Sequence, residues 1–228
     1  MDWTRQIDLY CERTGESWWA EPANALTSLA FLAVAWLAWR QSDALAARGA
    51  PVPQEFRVLA VLIAGIGAGG LAFHTLATVW AGALDALFIA AFVYVYLASY
   101  LLRAFAQATR AILAALAAYW LAGQLFGRWV ETTLGSAFLS GSYDYLPALA
   151  VLVALAWASA RRSRHAAVAL LAAAGLFTIS LGWRTLDDSV CALLPLGTHF
   201  LWHLGHAAVL WLAMRALHAG YLARLAPR

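Results

Sequence analysis

The chain contains no lysine; all fifteen of its basic residues are arginine. That absence excludes a retinal-type photoreceptor, whose Schiff base requires a lysine in the last membrane span. Charge of either sign is scarce, with 12% charged residues against 64% hydrophobic ones and a mean hydropathy of +0.70. A soluble domain of 228 residues needs many more charges to cover its surface. The formal net charge of +3 comes from dispersed arginines with no basic stripe, which argues against nucleic acid as a partner.

What the chain does have is long apolar segments. Seven can be marked at about 24–40, 57–77, 82–102, 109–127, 145–160, 166–183 and 198–217, each near the ~20 residues that cross a bilayer. The expected fold class is therefore all-α, a polytopic membrane protein built as a seven-transmembrane helix bundle. The connections are short, so neighbouring helices should run antiparallel. We divide the single domain into an acidic N-terminal segment (1–22), the bundle (23–217) and a basic C-terminal tail (218–228). The opening "MDWTRQIDLYCERTGESWWAEP" is acidic and has no apolar run, so it is not read as a signal peptide.

Arginine placement sets an expected orientation. Eleven arginines, from Arg40 to Arg228, fall on one side of the seven-span arrangement, and only Arg5, Arg13, Arg128 and Arg184 fall on the other. The positive-inside rule then puts the N-terminus outside and the C-terminus in the cytoplasm. Nine of the twelve acidic residues lie on the outer side, with Asp43 and Glu55 inside and Asp85 within the membrane. Both cysteines, Cys11 and Cys191, are assigned to the outer side as well. In an oxidising compartment such a pair forms a disulfide; the alternative is two inert thiols.

The stretch "GAGGLAFHTLATVWAGALD" puts His74 and Asp85 where an oily environment should reject both. His74 falls near the outer end of the second span and Asp85 near the outer start of the third. In the last span, "THFLWHLGHAAVLW" supplies His199, His203 and His206 at offsets of four and seven, one face of a helix. Antiparallel packing gathers His74, Asp85, His199 and His203 into one layer. Three neutral imidazoles with an open fourth position suit zinc, and a neighbouring carboxylate can order a water and take its proton. Against this stands the plain reading, in which each histidine is an interfacial residue bonded to a carbonyl. His206 is either a partner of the ligands or a core histidine. Trp202, between two candidate ligands, faces lipid or a neighbouring helix, and the other tryptophans read as interfacial anchors and packing.

Three blocks together resemble the alkaline ceramidase family, within the seven-span hydrolase-like group that includes the progestin and adiponectin receptors. They are "DLYCERTGESWWAEPANALTSLAF", "GAGGLAFHTL" with Asp85 eleven residues beyond His74, and "THFLWH". The resemblance implies that His74, His199 and His203 hold zinc, that Asp85 is the catalytic acid–base, and that Cys11 pairs with Cys191. It also implies a calcium site from Asp8, Glu12 and Glu21, with Thr14 where the family tends to have Asn. Spacing there departs from the family pattern, and an ordinary acidic outer segment is the alternative. Asn24 either faces the same polar pocket or caps the first helix. Gly70 stands where the family has a serine near the zinc, and Ser28 and Thr27 are the candidates to replace that hydroxyl.

The function so implied is intramembrane, zinc-dependent hydrolysis of a lipid amide, releasing a fatty acid from a ceramide or related N-acyl lipid that enters from the membrane. The site would lie near the non-cytoplasmic leaflet. The alternatives are a non-catalytic, zinc-containing seven-span receptor or lipid-binding protein, and a membrane cytochrome with paired histidine ligands to haem.

Overall fold

A computed structural model describes residues 2–226; Arg228, counted above among the cytoplasmic arginines, lies outside the described residues. The described chain forms seven helices long and apolar enough to cross a membrane. They are α1 (Pro22–Ala47), α2 (Gln54–Leu76), α3 (Val79–Arg103), α4 (Thr109–Thr133), α5 (Phe138–Ser159), α6 (Arg164–Val190) and α7 (His199–Leu225). Each expected span is present, and most helices run past the apolar stretch into polar residues. In a bilayer every backbone polar group must be satisfied within the protein, and a helix does this turn by turn regardless of where the oily stretch ends.

Two boundaries differ in kind. The fifth span begins earlier than residue 145, in a run of tight turns over Phe138–Tyr145 that is kinked at Leu139, Ser140 and Gly141, all at positive φ. The last span does not stop at 217 to leave a separate tail. His218 is buried and its Nδ1 bonds the carbonyl of Met214 at 2.8 Å, while the Tyr221 hydroxyl donates to Pro51 O at 2.8 Å. These contacts carry helix and core together to Leu225.

Helix α7 is the most enclosed element, with buried residues from His199 through Tyr221. It packs most closely on α6, where a side chain at Gly205 would meet Ser180 Oγ at 2.6 Å. Small residues that let helices approach are a main source of cohesion where lipid tails are as apolar as leucine. Two buried tyrosines cross-link helices inside the bundle: Tyr96 Oη donates to Ala213 O at 2.9 Å, and Tyr100 Oη meets Ser159 Oγ at 2.7 Å. Helix α4 buries only Ile112 and Val130 and presents a largely apolar exposed surface.

The N-terminal segment is folded across one end of the bundle. Ile7 N donates to Ala77 O at 2.6 Å and Val79 N to Arg5 O at 3.1 Å, so the segment lies along the turn between α2 and α3. Ala77, at φ +46, ends α2 in the left-handed conformation and reverses the chain within two residues. That reversal puts His74, in the last turn of α2, beside the start of α3.

Candidate metal centre

His74 lies in the last turn of α2, His199 opens α7, and His203 follows one turn later. Antiparallel packing brings the three together, each with one ligand atom within 4.8 Å of the others. Ring centroids are 4.7 Å apart for His74 and His203, 4.6 Å for His199 and His203, and 5.2 Å for His74 and His199. All three are buried. Three imidazoles forced together in an apolar interior have little reason to meet unless they share something.

Their outward nitrogens are already directed. His74 Nδ1 is 2.6 Å from Glu21 Oε2, and His203 Nδ1 is 3.0 Å from both Asn24 O and Thr27 Oγ1. Carboxylates and carbonyls behind a histidine fix its tautomer and leave Nε2 as the lone-pair donor. His199 is held differently: Tyr10 stacks on it at 3.7 Å with rings 20° apart, and its Nδ1 is buried with no hydrogen-bond partner. A neutral, nitrogen-only donor set with three ligands and room for a fourth suits zinc. On these observations the residues fit the ion.

The start of α7 is tied to the N-terminal segment by a residue that carries no motif in the sequence. Asp187, buried near the end of α6, accepts from Thr198 N at 2.6 Å and His199 N at 2.8 Å through Oδ1, and from Cys11 N at 3.0 Å through Oδ2. It therefore caps α7 at its first histidine and clamps the N-terminal segment. The disulfide between Cys11 and Cys191 reinforces the same point, with Cα atoms 5.2 Å apart. The only sequence signal was an acidic pair just before a cysteine.

Asp85 sits in the second turn of α3. It shares with Gly70, His199, His203, His206 and Arg184 the lining of a cavity of about 30 Å³, enough for a water, which needs about 10–15 Å³. Gly69 and Gly70 set its position. A Cβ at Gly69 would lie 2.8 Å from Asp85 Cα, and one at Gly70 would lie 3.0 Å from Ser28 Oγ and 3.6 Å from Asp85 Oδ1. So Ser28 of α1 borders the space that a side chain at position 70 would take. Its hydroxyl bonds Asn24 O at 3.0 Å, the same carbonyl that orients His203.

His206 is not in the triad. It stacks on Trp202 at 4.6 Å, faces Phe177, and lines both the site cavity and a deeper apolar one of about 60 Å³. Trp202 accordingly faces the neighbouring helices and is buried.

The four residues expected to hold calcium are not brought together. Asp8 and Thr14 are exposed. Glu12 caps the first helix, accepting from Ala23 N at 2.6 Å and Asn24 N at 2.8 Å. Glu21 takes the Arg13 guanidinium at 2.5 Å, as well as His74 and the Asn24 amide at 3.1 Å. A cation of the chain's own thus stands against the central carboxylate. Burial pushes the Glu21 carboxyl upward, but hydrogen bonds from His74, Arg13 and Asn24 outweigh it and hold the carboxyl below the usual glutamate value. Among the described residues, only His74, His199 and His203 form a group able to share a metal.

Fold and site together define a seven-helix bundle of membrane-spanning character with a buried three-histidine centre. No protein-family model matches the chain, and no curated protein matches it.

Proposed function

We propose that this chain is an intramembrane zinc-dependent lipid hydrolase that cleaves an N-acyl bond, as the resemblance to alkaline ceramidases implies. The observation that carries the reading is the shared cavity. Two imidazoles of the triad, a carboxylate and space for water meet there, and the cavity borders an apolar pocket in the bundle. His74, His199 and His203 would hold the ion. Zinc bound there would supply a Lewis acid and would acidify a water toward a pKa of ~7.

The remaining work falls to the chain. Asp85 takes a proton from water in the cavity and returns it to the leaving nitrogen, a role general acid–base groups fill for about 10²–10⁴-fold in rate. The apolar pocket, lined by Ile66, Phe92, Tyr96, Leu152, Phe177 and Val209, takes the start of the acyl chain. Arginine asymmetry orients the N-terminus and the site toward the non-cytoplasmic side, and the Cys11–Cys191 bridge at that end fits an oxidising compartment.

The test is release of fatty acid from N-acyl lipids by the purified full chain, with and without a zinc chelator. Chelation, His74→Ala and Asp85→Asn should each remove release, the last while zinc is retained. Zinc without release from any N-acyl lipid would reject the hydrolase and leave a zinc-containing receptor.

A further inference from the structure

Arg184 lies six residues from the end of α6, at the level of the histidines, and lines the site cavity together with Asp85, His199 and His203. It also lines a second, open cavity of about 650 Å³ between α3, α4 and the start of α5, with Tyr94, Tyr119, Trp120, Gln124 and Asp144. That volume is in the range of small-molecule sites. Ile89, Tyr145 and Arg184 belong to both cavities, so the guanidinium stands where one opens beside the other.

A guanidinium in a membrane-spanning helix is costly and ordinarily has a partner. Among the described residues Arg184 makes no ion pair. Its hydrogen bonds are both made by Nη1, to Ser140 O at 3.1 Å and Ser142 Oγ at 2.9 Å. The Tyr145 ring lies beneath the guanidinium at 5.2 Å. Nη1 and the ring thus hold the plane in place, and the phenols of Tyr10 and Tyr145 stand beside the guanidinium as its uncharged neighbours. Asp144 lines the outer groove without closing on it, and Asp85 lines the inner cavity without closing on it. A guanidinium held in place between two cavities with no anionic partner of its own is suited to take a carboxylate or phosphate oxygen pair.

We propose that Arg184 is the head-group anchor of the site, and that the preferred substrate is an N-acyl lipid whose head carries an anionic oxygen group, carboxylate or phosphate. The acyl chain occupies the apolar pocket beside His206, the scissile bond lies at Asp85 and the histidines, and the head extends past Arg184 into the groove. This rests on the hydrolase reading for the word substrate, but the binding preference stands apart from turnover.

The test uses a matched pair, N-palmitoylglycine with its free carboxylate and the neutral N-palmitoylethanolamine, with palmitate as a product control. Binding to the full chain in neutral detergent is followed by tryptophan fluorescence, and hydrolysis is measured in parallel. Arg184→Gln should weaken N-palmitoylglycine roughly tenfold to a hundredfold and leave the ethanolamide and palmitate unchanged. Arg184→Lys, which keeps the charge but loses the fork, should retain part of the preference. If both amides weaken alike, Arg184 only braces the Ser140–Ser142 turn and the proposal is overturned. If palmitate alone weakens, the anion read is the released acid and the head-group assignment is overturned. Arg184-dependent discrimination without hydrolysis of either amide supports the anchor and rejects the hydrolase. Hydrolysis without discrimination does the reverse.

Discussion

Glu21 Oε2 lies 2.6 Å from His74 Nδ1, and the other oxygen of the same carboxylate meets Arg13 Nε at 2.5 Å. One acidic residue at the head of α1 therefore orients a ligand carried by α2 and neutralises an arginine of the N-terminal segment. Arg13 in turn donates to His74 O at 3.2 Å, closing the triangle. All three side chains are buried.

Glu21→Gln should keep the fold's shape but lose the charge behind His74. Outer partners of metal-bound histidines are typically worth about 10–100-fold in affinity. Competition with a chromophoric chelator should show zinc affinity falling by about that factor, with Arg13 left as an uncompensated buried charge. Unchanged affinity would show that the carboxylate serves Arg13 alone.

The Gly70–Ser28 contact makes a paired prediction. Gly70→Ser adds a Cβ 3.0 Å from Ser28 Oγ, and overpacking of this kind costs about 1–3 kcal/mol. Removing the hydroxyl with Ser28→Ala should recover part of that loss, a coupling of about 1 kcal/mol for residues in contact. Thermal unfolding of the two single variants and the double variant measures it. Additive effects would mean that the space beside Asp85 is not shared between the two positions.

Asp187→Ala removes the acceptor for three backbone N–H groups, those of Cys11, Thr198 and His199. Each buried donor left unpaired costs about 1–3 kcal/mol, so a loss of about 3 kcal/mol or more is expected. The effect should include faster proteolysis in the exposed stretch around residues 14–19, even with the disulfide intact. A melting temperature within a degree of the parent would contradict the clamp.

Much of this arrangement is legible in the sequence. Hydropathy located seven spans because lipid imposes one requirement on every helix. Alternating direction then placed His74, His199 and His203 at one end, and the topology placed Cys11 beside Cys191. What pattern could not reveal is the irregular N-terminal segment. Glu12 and Glu21 looked like oxygen ligands for calcium because acidic clusters in a loop carry no record of which way each turns. Only folding against the bundle shows Glu12 capping the first helix and Glu21 facing Arg13 and His74. Asp187 and Arg184 were passed over for the same reason. Their partners are backbone groups, a hydroxyl and a ring distant in the chain, and backbone groups have no letter in a sequence.

The claim on which the rest stands is that His74, His199 and His203 together hold one zinc ion. Elemental analysis of the purified full chain, joined to X-ray absorption at the zinc edge, tests it most directly. One zinc per chain is expected, with three imidazole nitrogens at about 2.0–2.1 Å, and loss of the metal when any one of the three histidines becomes alanine. A purified, folded chain that takes up no zinc when the ion is supplied, or one that keeps its zinc after His203→Ala, would contradict it.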